Sequence, residues 1–229
     1  MNIKTLSFCL AILLVSNFSM ILSIEIFHLR SFVSMLLFTI IALVLWVVLL
    51  KKDVSIKLQI SNKKIFKNTT PLLLIPLLSV IYFLSISTNI ENGIILLMLI
   101  TSMATAIYEE VVFRAIGIGS FIKSGIKPNK AILLTAILFS IFHLYTVYDK
   151  EALDIILKLL NTFMMGVVFG YIYYASKNIL YVIVIHMVWD FESFLANSYI
   201  LDNTGVIITV ILFITTLSYF YWSLRKMLT

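Results

Sequence analysis

Runs of about twenty apolar residues recur along this chain with only short polar breaks between them, and one water-soluble core cannot hide that much hydrocarbon. The runs fall at about 5–25, 31–50, 71–89, 93–116, 131–147, 155–175, 179–197 and 205–224. Of the 229 residues, 62% are hydrophobic and 12% charged, whereas a soluble domain carries about 25% charged residues. The solvent for most of the chain is therefore lipid. The expected fold is all-α: a polytopic bundle of about eight transmembrane helices forming one membrane domain over residues 1–229, with no room for a separate soluble domain.

The charge pattern sets an expected topology. With the N-terminus in the cytoplasm, Lys4, Lys51, Lys52, Lys57, Lys63, Lys64, Lys67, Lys123, Lys127, Lys130, Lys177, Arg225 and Lys226 lie inside. Only Arg30, Lys150 and Lys158 then lie outside, so both termini are expected in the cytoplasm. The net charge of +6 is accounted for by these juxtamembrane lysines and anionic lipid headgroups, and no nucleic-acid partner is indicated. Residues 1–23 resemble a signal peptide but lack a small-x-small cleavage site, so they are read as a retained first helix. Cys9 is the sole cysteine, which rules out an intrachain disulfide and reads as a small hydrophobe. The longest break, residues 51–70, holds six lysines and reads as a basic loop on the inner leaflet; its Asn68-Thr69-Thr70 triplet has no meaning as a glycosylation site there. Of the three prolines, Pro76 is the candidate for kinking a helix interior.

Ionisable residues near the bilayer centre cost on the order of 2.5–3.5 kcal/mol, so they persist by pairing inside the bundle or by serving a function. The fourth run contains Tyr108-Glu109-Glu110-Val111-Val112-Phe113-Arg114. Glu110 and Arg114, four apart with the acid first, suit an intrahelical ion pair. Glu109 is rotated about 100° from Glu110 and faces a different part of the bundle. Phe139 and His143 share a face of the fifth run, and His186 and Asp190 a face of the seventh, where the acid can orient the imidazole. A carboxylate held away from water can work as general base or acid, and imidazoles can bind a metal or donate to an oxyanion; these are the parts needed to hydrolyse a peptide bond. Gly166 and Gly170 form a small-xxx-small packing pattern, and Glu192 points away from Asp190 toward some other polar neighbour. Counting from the inner ends of the runs puts Glu109 and His186 about 10 Å deep but His143 about 20 Å deep, so a shared site requires a fifth helix that starts late, after a dipping segment at 117–130, or is tilted.

Glu-Glu-x-x-x-Arg at 109–114, Phe-x-x-x-His at 139–143 and His-x-x-x-Asp at 186–190, in this order on three helices, resemble the CPBP family of CAAX proteases and bacteriocin-processing enzymes, also called Abi. The resemblance covers roughly residues 90–197, which it marks as the catalytic core. It implies an eight-helix intramembrane endopeptidase acting on a membrane-associated peptide or protein. By position, Glu109 activates the attacking water with His143, His186 and residue 190 stabilise the tetrahedral intermediate, and Glu110 and Arg114 brace the site, with Phe139 in support. Many members end the last motif in Asn. Asp190 cannot donate a hydrogen bond when ionised, which makes orienting His186 its assignment here.

An older scheme makes the family metalloproteases, with one divalent metal such as zinc on His143, His186 and a carboxylate, for which Glu109 is the candidate; the spacing is compatible with either mechanism. The competing readings are a non-catalytic membrane partner or bacteriocin self-immunity protein on the same scaffold, and a small transporter, which the lack of repeated halves disfavours. Lysine- and isoleucine-rich usage points to a low-GC bacterial source and hence a plasma membrane location. Substrate identity and oligomeric state are left open by the residues.

Overall fold

A computed structural model describes residues 63–86, 92–147, 150–198 and 203–228. The two expected spans at 5–25 and 31–50, with Cys9 and the first half of the basic loop, lie outside the described residues. Among the described residues all regular structure is helical: α1 (Lys63–Ile86), α2 (Asn92–Glu110), α3 (Pro128–Phe142), α4 (Ala152–Ser176), α5 (Ile179–Ser198) and α6 (Asn203–Leu228). Five helices are long and apolar enough to cross a membrane, and α3 is a shorter apolar one. The described residues are therefore all-α, and their long apolar helices indicate an integral membrane protein.

Two expected boundaries are corrected. Helix α1 starts at Lys63 rather than 71, so the second half of the supposed loop is helical and both Pro71 and Pro76 lie inside it. The polar residues that suggested a loop are absorbed locally, because Thr69 and Thr70 return their hydroxyls to the carbonyls of Ile65 and Phe66, each at 2.8 Å.

The second correction concerns α2, which does not end near 116. It continues through a π-helical segment, Val111–Ile118, and a short α-helical tail, Gly119–Lys123, before the turn into α3. Helix α3 begins at Pro128, where the missing N–H costs nothing, so there is neither a late start nor a dipping segment at 117–130. With α2 extended, Glu109 stands fourteen residues before Lys123 and His143 fifteen after Pro128, so both lie about 20 Å from the same end of the hairpin. The apparent mismatch in depth came from cutting α2 short. His186 is only seven residues into α5, yet its Nε2 comes within 3.7 Å of Glu109 Oε2.

Helices α3 and α4 pack closely because α4 lacks side chains where they meet. A Cβ on Gly166 would come within 2.9 Å of the Ala136 Cα, and one on Gly170 within 3.0 Å of Ile132 Cγ2. Ser140 on α3 donates to the Leu159 carbonyl of α4 at 2.7 Å on the same seam. Helix α5 runs along α1 through polar contacts: Tyr181 with Thr69 at 2.7 Å, Trp189 with the Leu72 carbonyl at 2.7 Å, and Ser79 with Glu192 at 2.9 Å. Glu192 thus finds a polar neighbour on α1.

Candidate active site

Two neighbouring carboxylates end α2, and the π-helical turns that follow carry Arg114 back beneath them. All eight residues of that π segment are buried, and Arg114 is fully so. Its Nε stands 3.0 Å from Glu110 Oε2, an ion-pair distance without hydrogen-bond alignment. The guanidinium lies 4.5 Å from the ring centroid of Phe139 and about 6 Å from those of Phe113 and Phe169, so a cation that lipid would reject is held by one acid and three aromatic faces. π-Helical turns inside α-helices concentrate at functional sites, and no sequence rule foresees this one.

The histidines arrive from two further helices. His143 sits where α3 gives way to a 3-10 turn, His143–Thr146, and its Nδ1 is 2.8 Å from the Phe139 carbonyl. A carbonyl can only accept, so Nδ1 carries the proton and Nε2 of the neutral ring is a lone pair. That Nε2 is 4.0 Å from Glu109 Oε2. The Phe139 ring packs edge-on against the same imidazole, 4.6 Å away.

On α5, His186 donates from Nδ1 to Glu110 Oε1 at 2.9 Å. Its Nε2 stands 3.7 Å from Glu109 Oε2 and 3.5 Å from Asp190 Oδ1, facing two carboxylates at once. Phe169 covers the ring at 5.1 Å. Asp190 is the more open member, with its side chain 28% exposed, whereas Glu109 is 4% exposed.

The structure thus brings Glu109, Glu110, Arg114, Phe139, His143, His186 and Asp190 into one cluster. It also reassigns one contact: the carboxylate that holds His186 at Nδ1 is Glu110, while Asp190 faces the other ring nitrogen. Phe113 and Phe169 were not singled out from the sequence, because aromatic residues in an apolar helix look like any other core residue. The one available signal was that Phe169 lies between Gly166 and Gly170, on the face where helices approach.

Among the described residues no group of three His, Cys, Asp or Glu side chains is disposed to hold a metal ion. Glu109 Oε2 and the two Nε2 atoms converge, but they do not form a ligand cage.

Residues 91–191 match a family described as Rce1-like, type II CAAX prenyl endopeptidase Rce1-like. The segment that holds the site is CPBP-family sequence. The match covers a little under half the chain, from the start of α2 to just past Asp190, and so contains every residue of the cluster. The family matched is a protease family, which supports a peptide hydrolase as the activity class. No curated protein and no solved structure matches the chain.

Proposed function

We propose that the chain is an intramembrane endopeptidase that hydrolyses a peptide bond of a membrane-associated peptide or protein, with its catalytic core in residues 90–197 and Glu109 as general base. The observation that carries this reading is the convergence of Glu109 Oε2 with both imidazole Nε2 atoms at 3.7 and 4.0 Å. Those separations are too long for direct hydrogen bonds and suit one water held between the three groups. Glu109 Oε2 is itself a buried oxygen with no hydrogen-bond partner among the described residues.

In the proposed reaction Glu109 takes a proton from that water as its oxygen attacks the peptide carbonyl carbon. The C–O bond forms, and the carbonyl π pair moves onto the oxygen. His143, with Nδ1–H tied to the Phe139 carbonyl, accepts from the water at Nε2 and so aims it. His186, held at Nδ1 by Glu110, presents Nε2–H to the oxyanion, and Asp190 beside that nitrogen favours the proton there. Collapse breaks the C–N bond, and Glu109 returns its proton to the departing amine. The products are a carboxylic acid and an amine, and Glu109 ends as it began.

The test compares membrane-associated peptides from cells expressing the full chain or its Glu109→Gln variant at equal membrane levels. Peptides that appear with the native chain and vanish with the variant are expected; identical peptide profiles from the two would contradict the reading and favour a non-catalytic partner or immunity protein.

A further inference from the structure

Pro76 is a residue that hydrolysis leaves unexplained. It lies in the interior of α1, and a proline there has no N–H for the carbonyl four residues earlier, which is that of Leu72. In lipid such a carbonyl needs another donor. The structure supplies one from a different helix: the indole Nε1–H of Trp189 on α5 donates to the Leu72 carbonyl at 2.7 Å. Trp189 is three residues after His186 and directly precedes Asp190.

From this pairing we infer that Trp189 is a positioning residue, and that the carbonyl released by Pro76 is the socket that fixes the rotation and depth of α5 and with them His186 and Asp190. An imidazole stands about 5–6 Å from its helix axis, so a rotation of α5 by only about 10° displaces Nε2 by about 1 Å. Nε2 has contacts at 3.5 and 3.7 Å that such a displacement would alter. The flanking α1–α5 contacts leave the socket as the anchor nearest the site in sequence. Tyr181 meets Thr69 two turns earlier, and Glu192 meets Ser79 on the far side of Asp190. A backbone carbonyl freed by proline is also a fixed acceptor, since its helix holds it in place, whereas Ser79 and Glu192 join side chain to side chain and Tyr181 reaches a backbone carbonyl, that of Phe66, at the longer distance of 3.4 Å.

The inference rests on placing His186 in the reacting cluster, but its test needs no hydrolysis. The chain has three histidines, so imidazole 15N spectra of the full protein in lipid nanodiscs hold few signals, and a His186→Asn sample assigns those of His186. The native chain, Pro76→Ala, Trp189→Phe and the double variant are compared by these spectra and by Tm. Trp189→Phe is expected to lower Tm, because a buried carbonyl loses its donor, and to shift the His186 resonances. Pro76→Ala gives Leu72 an N–H from its own helix, so the double variant regains Tm while His186 stays shifted. His186 signals that are unmoved in Trp189→Phe, or that return to native positions in the double variant together with Tm, overturn the inference, since the indole would then only satisfy a carbonyl. Should Trp189→Phe alone not fold, the double variant carries the test. Loss of peptide cleavage in every sample, the native chain included, would count against the peptidase reading and leave this one standing.

Discussion

Glu109 and Glu110 are adjacent in sequence and have different work. Glu110 is bound on both sides, by Arg114 Nε at 3.0 Å and His186 Nδ1 at 2.9 Å. Among the described residues Glu109 faces imidazole edges, at 3.7 and 4.0 Å. Their amide variants should therefore separate chemistry from stability. Glu109→Gln is expected to lower cleavage by about 10²–10⁴-fold, the usual worth of a general base, with Tm close to native. Glu110→Gln leaves the guanidinium of Arg114 buried without its counter-charge and should destabilise the fold by about 3–5 kcal/mol, read by thermal or denaturant unfolding in detergent. Equal Tm values for the two variants would contradict this division. From the sequence two acids, one arginine and two histidines were expected to meet, because each is expensive alone in lipid. It assigned Glu110 to Arg114 by spacing but gave His186 to Asp190, since a four-residue spacing on one helix is legible and a contact between Glu110 on α2 and His186 on α5 is not.

At the level of elements, the site depends on a helix that changes pitch and on two helices that touch. Apolar run length located α2 through α6 and left their ends uncertain; the extension of α2 to Lys123 was invisible because it runs through Gly117 and Gly119, a residue type that ordinarily marks a helix end, and stops only before Gly125, whose φ is 87°. The contact between α3 and α4 was readable from Gly166 and Gly170, and their unequal surroundings give a ranking. Gly166→Ala drives its Cβ into the Ala136 backbone, at 2.9 Å from Cα, while Gly170→Ala meets a side-chain methyl, Ile132 Cγ2, at 3.0 Å and no backbone. Gly166→Ala is expected to cost about 1–3 kcal/mol and Gly170→Ala less, measured by unfolding. The reverse order would show that the α3–α4 seam is placed elsewhere. Because His143 ends α3, Gly166→Ala should also reduce cleavage by more than Gly170→Ala does.

For the whole molecule, helix order carries the charge asymmetry of the sequence into space. Lys123 ends the tail of α2, Lys127 lies in the turn that follows and Lys130 in the first turn of α3; the turn between α4 and α5 holds Lys177, and α6 ends with Arg225 and Lys226, whereas Glu151 lies at the opposite end of α4. In a Cys9→Ser background, single cysteines at the exposed positions of Lys127 and Glu151 should react with an impermeant thiol reagent from opposite faces, Lys127→Cys from the cytoplasm. Reaction of both from one face would contradict that topology.

Three helices bring Glu109, His143 and His186 to one point, where the proposed reaction has Glu109 activate water. The purified full chain in proteoliposomes, given a peptide found in the cellular comparison in H2 18O and followed by mass spectrometry, is expected to place one 18O in the new carboxyl group at a rate that falls by about 10²–10⁴-fold in Glu109→Gln. Cleavage by Glu109→Gln at the native rate would rule out Glu109 as the base.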